Sequence, residues 1–202
     1  MRRSTTGPFC LSASIALLVL IGGCFHSNDP VDPDPQPDAY PFADTVEQLM
    51  TNFKNAYDEM DIDEYDNALH EEFHFVFADG SYVAPPSGFF TREQDLESTT
   101  NMFAGEQGAD PDGLPKPGVR DIVFTELTRL SEWEEAEIND ALFAGSMRAL
   151  FDVRVVFYLD TDSVNTITID CQQLFYVKSE TEEAEGGGTR QRFFLFGQQD
   201  LD

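Results

Sequence analysis

Basic side chains are scarce: 12 Lys and Arg stand against 38 Asp and Glu, for a formal net charge of −26 at pH 7. Binding phosphates takes a cluster of cations, so this balance excludes a nucleic-acid partner. A solubilising or salt-adapted surface is the bland account of so much acid; attraction of cations is the sharper one. The chain also has only 3 histidines and 3 cysteines. It carries no Gly-rich phosphate loop and no G-x-S-x-G elbow, and no cofactor is expected.

Nor is there an apolar run long enough to span a bilayer, which takes about 20 residues. The N-terminus has a basic start (Arg2, Arg3), an apolar stretch over residues 14–21, and the stop Gly22-Gly23-Cys24. That is the layout of a secretory signal that is removed. Leu20-Ile21-Gly22-Gly23-Cys24 resembles the lipobox of bacterial lipoproteins, which implies acylation of Cys24 and a membrane anchor through that lipid. Phe25, where an inner-membrane retention signal would place Asp, points to the outer membrane of the cell envelope, facing the periplasm or the cell surface. Cys10 leaves with the signal and Cys24 takes lipid. Only Cys171 remains, so no intrachain disulfide is possible.

The expected organisation is a signal peptide over residues 1–23, a lipidated cysteine and tether over 24–43, and one domain over 44–202. In the tether, prolines alternate with carboxylates, a composition that stays extended and forms no core.

Within the domain, Asp44 followed by Glu47 predicts a helix start, and Val46, Leu49, Met50, Phe53, Ala56, Tyr57 and Met60 recur on one helical face. A second short helix is expected over residues 61–71. Phe73, Phe75 and Phe77 then alternate at strand spacing up to the Asp79-Gly80 turn. Thr91 and Gln94 form a capping-box pattern that opens a third helix carrying Leu96, Met102 and Phe103. Strands are expected over residues 119–130, 147–159, 167–178 and 192–200. Residues 131–145 read either as an inserted helix or as a loop, and the glycine-rich 179–189 as a mobile hairpin tip.

Phe53-Lys54-Asn55-Ala56-Tyr57-Asp58-Glu59-Met60-Asp61-Ile62-Asp63-Glu64-Tyr65, then Leu69 and Glu72-Phe73-His74-Phe75, resembles the opening of the NTF2-like, or SnoaL-like, superfamily. Residues 192–200 resemble its closing strand. The resemblance implies an α+β, cystatin-like cone: three N-terminal helices packed on a curved antiparallel sheet around an apolar pocket. Some members of that superfamily are isomerases, cyclases or hydrolases, and others only bind or dimerise, so fold does not fix function. Aligned on Asp61 and Asp63 with the ketosteroid-isomerase branch, the oxyanion tyrosine falls at Phe53 and the general base at Phe77. Neither side chain can serve those roles.

Candidates for lining such a pocket are Tyr57, Tyr65, His74, Trp133, Phe157 and Tyr158, although aromatic stripes at these periods also build plain core. His70-Glu71-Glu72-Phe73-His74 is a literal H-E-x-x-H, in which His70 and His74 would ligate zinc if all five residues were helical. The Phe73, Phe75, Phe77 alternation begins inside the motif, and no third ligand follows. Asp160-Thr161-Asp162 and Asp110-Pro111-Asp112-Gly113 lack the ligand spacing of a calcium loop.

The leading expectation is therefore a non-enzymatic, membrane-anchored domain. It would bind a small apolar ligand, a protein, or a second copy of itself across the open sheet face. The runner-up is an acid–base enzyme using His74, and a zinc hydrolase stands third. The feature that separates the first two is whether His74 points into the cone.

Overall fold

The computed structural model describes residues 40–201 apart from 110–112, 114, 138–140, 160–164 and 185. The expected export signal, Cys24, most of the tether and the Asp160-Thr161-Asp162 segment lie outside the described residues. Within them run α1 (Val46–Asp58), α2 (Ile62–Ala68), β1 (Leu69–Val76), β2 (Phe89–Thr91), α3 (Arg92–Phe103), β3 (Gly108–Ala109), β4 (Pro115–Lys116), β5 (Asp121–Arg129), β6 (Glu134–Glu135), β7 (Met147–Tyr158), β8 (Thr166–Glu183) and β9 (Thr189–Asp200). Among the described residues no helix is long and apolar enough to cross a membrane.

Each helix starts where a side chain satisfies an otherwise unpaired backbone N–H. Thr45, one residue beyond the expected Asp44, caps α1 by accepting from the Gln48 N–H at 3.1 Å. Asp61 caps α2, accepting from Asp63 and Glu64. Thr91 and Gln94 close the expected capping box on α3. Here α3 follows two strands rather than completing an N-terminal trio. Met60, between α1 and α2, takes a positive φ of 52° and packs its side chain against the core.

Seven strands form one sheet in the order β2-β1-β9-β8-β7-β5, with β6 beside β7. It is mixed rather than wholly antiparallel, because β1 and β9 pair in parallel. The helices cover one face. Leu49, Phe53, Ala56, Tyr65 and Phe73 pack there against Ile122, Val153, Phe175 and Leu195, and all are nearly inaccessible to water. On β7, Ala149, Phe151, Val153, Val155 and Phe157 supply this inner face, as the alternation predicts, while Met147 remains exposed.

Three segments depart from expectation. The second helix ends at Ala68, not residue 71, because its Leu69 end is already extended and begins β1. The predicted mobile tip is mostly ladder: β8 and β9 stay paired out to Glu183 and Thr189, with Glu180 opposite Arg192 and Glu182 opposite Arg190. Opposite charges across an antiparallel pair favour that extension.

The described residues of the 131–145 segment form neither a helix nor a free loop. They contribute β6 and then lay Phe143 on the outer face of the sheet, where its ring stacks on Tyr176 at 3.7 Å beside Phe196. A Cβ at Gly197 would come within 2.0 Å of the Phe143 ring, so only glycine leaves room for it.

The end of the expected tether also packs on the domain. Asn52 donates to the Pro41 carbonyl at 2.7 Å, Phe193 N–H donates to the Ala43 carbonyl at 2.8 Å, and Arg190 lies over the Phe42 ring.

Candidate functional site

Between the helices and the inner face of the sheet lies a cavity of about 280 Å³. Its walls are mainly apolar, and aromatic rings are the largest group in them. Phe53 and Tyr57 come from α1, one turn apart; Phe75, Phe77 and Phe90 come from the β1–β2 region; Phe124 and Phe157 come from β5 and β7. Met102, Val153, Val155 and Ile169 complete the apolar surface. This suits the general character of small-molecule sites, which are concave, largely apolar and fitted with a few convergent polar groups.

Those polar groups are carboxylates and their partners. Asp95, only 8% exposed, projects into the cavity from α3, and Tyr65 donates its hydroxyl to Asp95 Oδ2 at 2.6 Å. The Tyr57 ring stands edge-on to that of Tyr65, with centroids 5.1 Å apart. On the sheet side Gln198 donates to Gln173 at 2.6 Å, and Gln173 donates to Asp200 Oδ1 at 2.6 Å. Among the described residues that line the cavity, none carries a positive charge.

Burial dominates the ionisation of these groups. Loss of solvation lifts the Asp95 carboxyl to about 6, against the opposing hydrogen bond from Tyr65. Burial likewise raises Asp200, against the bond from Gln173. Tyr65 and Tyr57 are pushed above the ordinary phenol range, first by burial and then by neighbouring charge and dipoles that include Asp95. Cys171 is raised by burial and then by Asp200.

Tyr57 and Phe157 line the cavity, and Tyr65 lies beneath it, holding Asp95. The other candidates are elsewhere. His74 alternates with Phe73 and Phe75, so it leaves the strand on the opposite side, with Nδ1 2.9 Å from the Glu72 carbonyl and its ring against Phe89. Tyr158 has the opposite parity to Phe157 and is absent from the cavity lining. Trp133 packs on Phe151 beside α1, in a separate depression.

The H-E-x-x-H residues lie on β1 and its start, not on a helix. His70 is 3% exposed, accepts the Glu72 N–H on Nδ1 at 3.0 Å, and turns Nε2 to Glu180 Oε1 at 2.9 Å. With Nδ1 accepting, Nε2 is the protonated donor, and neither nitrogen has a lone pair left for a metal. No group of three or more potential metal ligands occurs among the described residues.

Asp95, Asp200, Thr99 and Gln173 were not singled out from the sequence. Gln173 did carry a signal: it shares strand parity with the inward Phe175 and Val177, so a polar side chain had to face the interior.

No protein-family model matches this chain, and no curated protein matches it. Solved structures similar to it include an NTF2-like protein of unknown function from Cytophaga hutchinsonii, at 12% identity over 77% of this chain and 88% of that one, with a TM-score of 0.40. Another is hexachlorocyclohexane dehydrochlorinase LinA-type3 from Novosphingobium barchaimii, at 10% identity over 77% and 82%, with a TM-score of 0.45. A third is AusH from Aspergillus nidulans, at 8% identity over 78% and 84%, with a TM-score of 0.41. Similarity at this level decides neither the family nor the chemistry of this chain.

Proposed function

We propose that this is an envelope lipoprotein, anchored through Cys24, whose NTF2-like domain binds a small, mainly apolar molecule in the aromatic cavity. The observation that carries the reading is the cavity itself: about 280 Å³, walled by aromatic rings and holding the buried Asp95 carboxylate at one side. A largely apolar cleft with a few convergent polar groups is the usual form of a small-molecule site. A carboxylate as buried as Asp95 is costly unless it serves a purpose there. The test is native mass spectrometry on residues 25–202 produced without the lipid signal, comparing mass before and after denaturation. A retained small molecule supports the reading. Loss of binding on Phe124→Ala or Phe157→Ala, with folding intact, places that molecule in this cavity.

A second reading is favoured by one observation: Asp95 stands buried in the cavity wall with the Tyr65 hydroxyl on it, and burial raises its carboxyl to about 6. A carboxyl poised near the working pH exchanges protons readily, and general acid–base catalysis by Asp95 is the form that an enzymatic activity would take here. His74, outside the cavity, has no part in it. Turnover abolished by Asp95→Asn while ligand binding persists would favour this second reading over simple binding.

A further inference from the structure

We infer that the ligand of the aromatic cavity is an organic cation, an alkyl- or arylammonium. This rests on the cavity being the binding site, as proposed above, and narrows it to one chemical class.

Charge is the first argument. Two carboxylates, Asp95 and Asp200, enter the cavity from opposite walls, and no Lys, Arg or His stands among its described lining residues. One oxygen of Asp95 takes the Tyr65 hydroxyl and one of Asp200 takes the Gln173 amide; no other hydrogen bond is made to either carboxylate among the described residues. Asp95 is buried and Asp200 half-buried, and a buried carboxylate without a counter-charge is costly. A bound cation would supply the missing counter-charge, whereas an anion would add to the repulsion.

The walls are the second argument. Ring faces carry negative electrostatic potential, and a cation that has shed water is attracted to them, most of all within a group of rings. Tyr57, Phe75, Phe77, Phe90, Phe124 and Phe157 line this space. A hydrated metal ion has no use for such walls, while an ammonium carrying apolar substituents matches both the rings and the carboxylates. The net charge of −26 adds an attractive field that raises the encounter rate of cations with the whole molecule.

The experiment compares benzyltrimethylammonium, its neutral isostere neopentylbenzene, and phenylacetate as the anion, by ligand-observed NMR on the soluble domain. It is run at low and at high salt, so that the general surface field is screened out in one arm. The expected result is that the ammonium binds at least tenfold more tightly than the neutral isostere at high salt, and that phenylacetate does not bind. Asp95→Asn and Asp200→Asn should each weaken the ammonium tenfold or more and leave the isostere unchanged, while Glu97→Gln, an exposed acid on α3, should change neither. If Asp95→Asn fails to fold, Asp200→Asn carries the test.

Equal binding of the isostere, indifference to both Asp substitutions, or preferential binding of phenylacetate overturns the cation inference and leaves the cavity reading intact. No binding of any of the three removes the support for the cavity reading, and the inference falls with it.

Discussion

The Tyr65 hydroxyl donates to Asp95 Oδ2 at 2.6 Å, joining α2 to α3 in the middle of an aromatic core. It is the interaction that keeps the carboxyl of Asp95 from rising further, since burial pushes that group up and the hydrogen bond pulls it down. Tyr65→Phe should therefore move Asp95 above about 6. The loss of a hydrogen bond to a charged group should also cost about 1.5–3 kcal/mol of stability. A carboxyl-detected NMR titration reads the first effect and urea unfolding the second; an unchanged or lower Asp95 value would show that the bond does not act on its charge.

Asp95 also predicts a pH dependence of stability. Burial lifts its carboxyl from the ordinary 3.8 to about 6 on folding. Between those values the folded protein holds a proton that the unfolded chain has released, so stability falls as pH rises through this window and levels off above it. At 1.36 kcal/mol per unit, the loss is on the order of 3 kcal/mol. The groups facing Asp95 are Tyr65 and Tyr57, both uncharged in this window, and Asp200 acts in the same direction. Asp95→Asn should flatten most of the decline in unfolding free energy between pH 4 and 6, and an unaltered slope would assign it to other carboxylates.

On the outer face, Phe143→Ala should cost about 3–5 kcal/mol, the usual range for emptying a buried phenylalanine site. Gly197→Ala should be destabilising in the parent chain, because its Cβ meets the Phe143 ring. It should become much milder once Phe143→Ala has removed that ring. Denaturant melts of the double-mutant cycle measure the coupling; additive costs would mean the two residues do not press on each other.

Zinc should leave the melting temperature unchanged. His70 has both ring nitrogens engaged, by the Glu72 N–H and by Glu180, and His74 is turned toward its own strand's backbone and Phe89. A stoichiometric rise in melting temperature on zinc addition, abolished by His70→Ala, would revive the metal reading.

Periodicity made the helices and the long strands legible, because α1 and β7 each bury one face that is apolar apart from Asn52. The polar half of the cavity was not legible, for two local reasons. On α3 the expected apolar face, Leu96, Met102 and Phe103, is only partly buried, while the polar Asp95 and Thr99 are the residues most covered. An acid on a helix surface reads as solvated unless the tertiary fold turns it inward.

On β9 the alternation itself breaks. Phe193 and Leu195 face the core, but the ladder pairs Leu195 with Val177 and Gly197 with Tyr176, leaving Phe196 as an extra residue. That β-bulge shifts the parity, so Gln198 and Asp200 enter the cavity where simple alternation would send them out. Tyr158 and His74 were misplaced for a simpler reason: each lies one residue away from an inward aromatic, Phe157 and Phe75, and so leaves its strand on the other side.

The loop bearing Phe143 bears on assembly. Where it lies, the apolar surface of Tyr176 and Phe196 is already covered by the chain's own side chain. A second copy docking there would meet Phe143 rather than the bare rings of Tyr176 and Phe196. Alongside it, the outward side chains of β7 and β8 are occupied with Arg154–Asp170 and Asp152–Gln172 pairs that already satisfy one another. The molecule thus supplies from within one polypeptide part of the cover that an open sheet otherwise seeks from a neighbour.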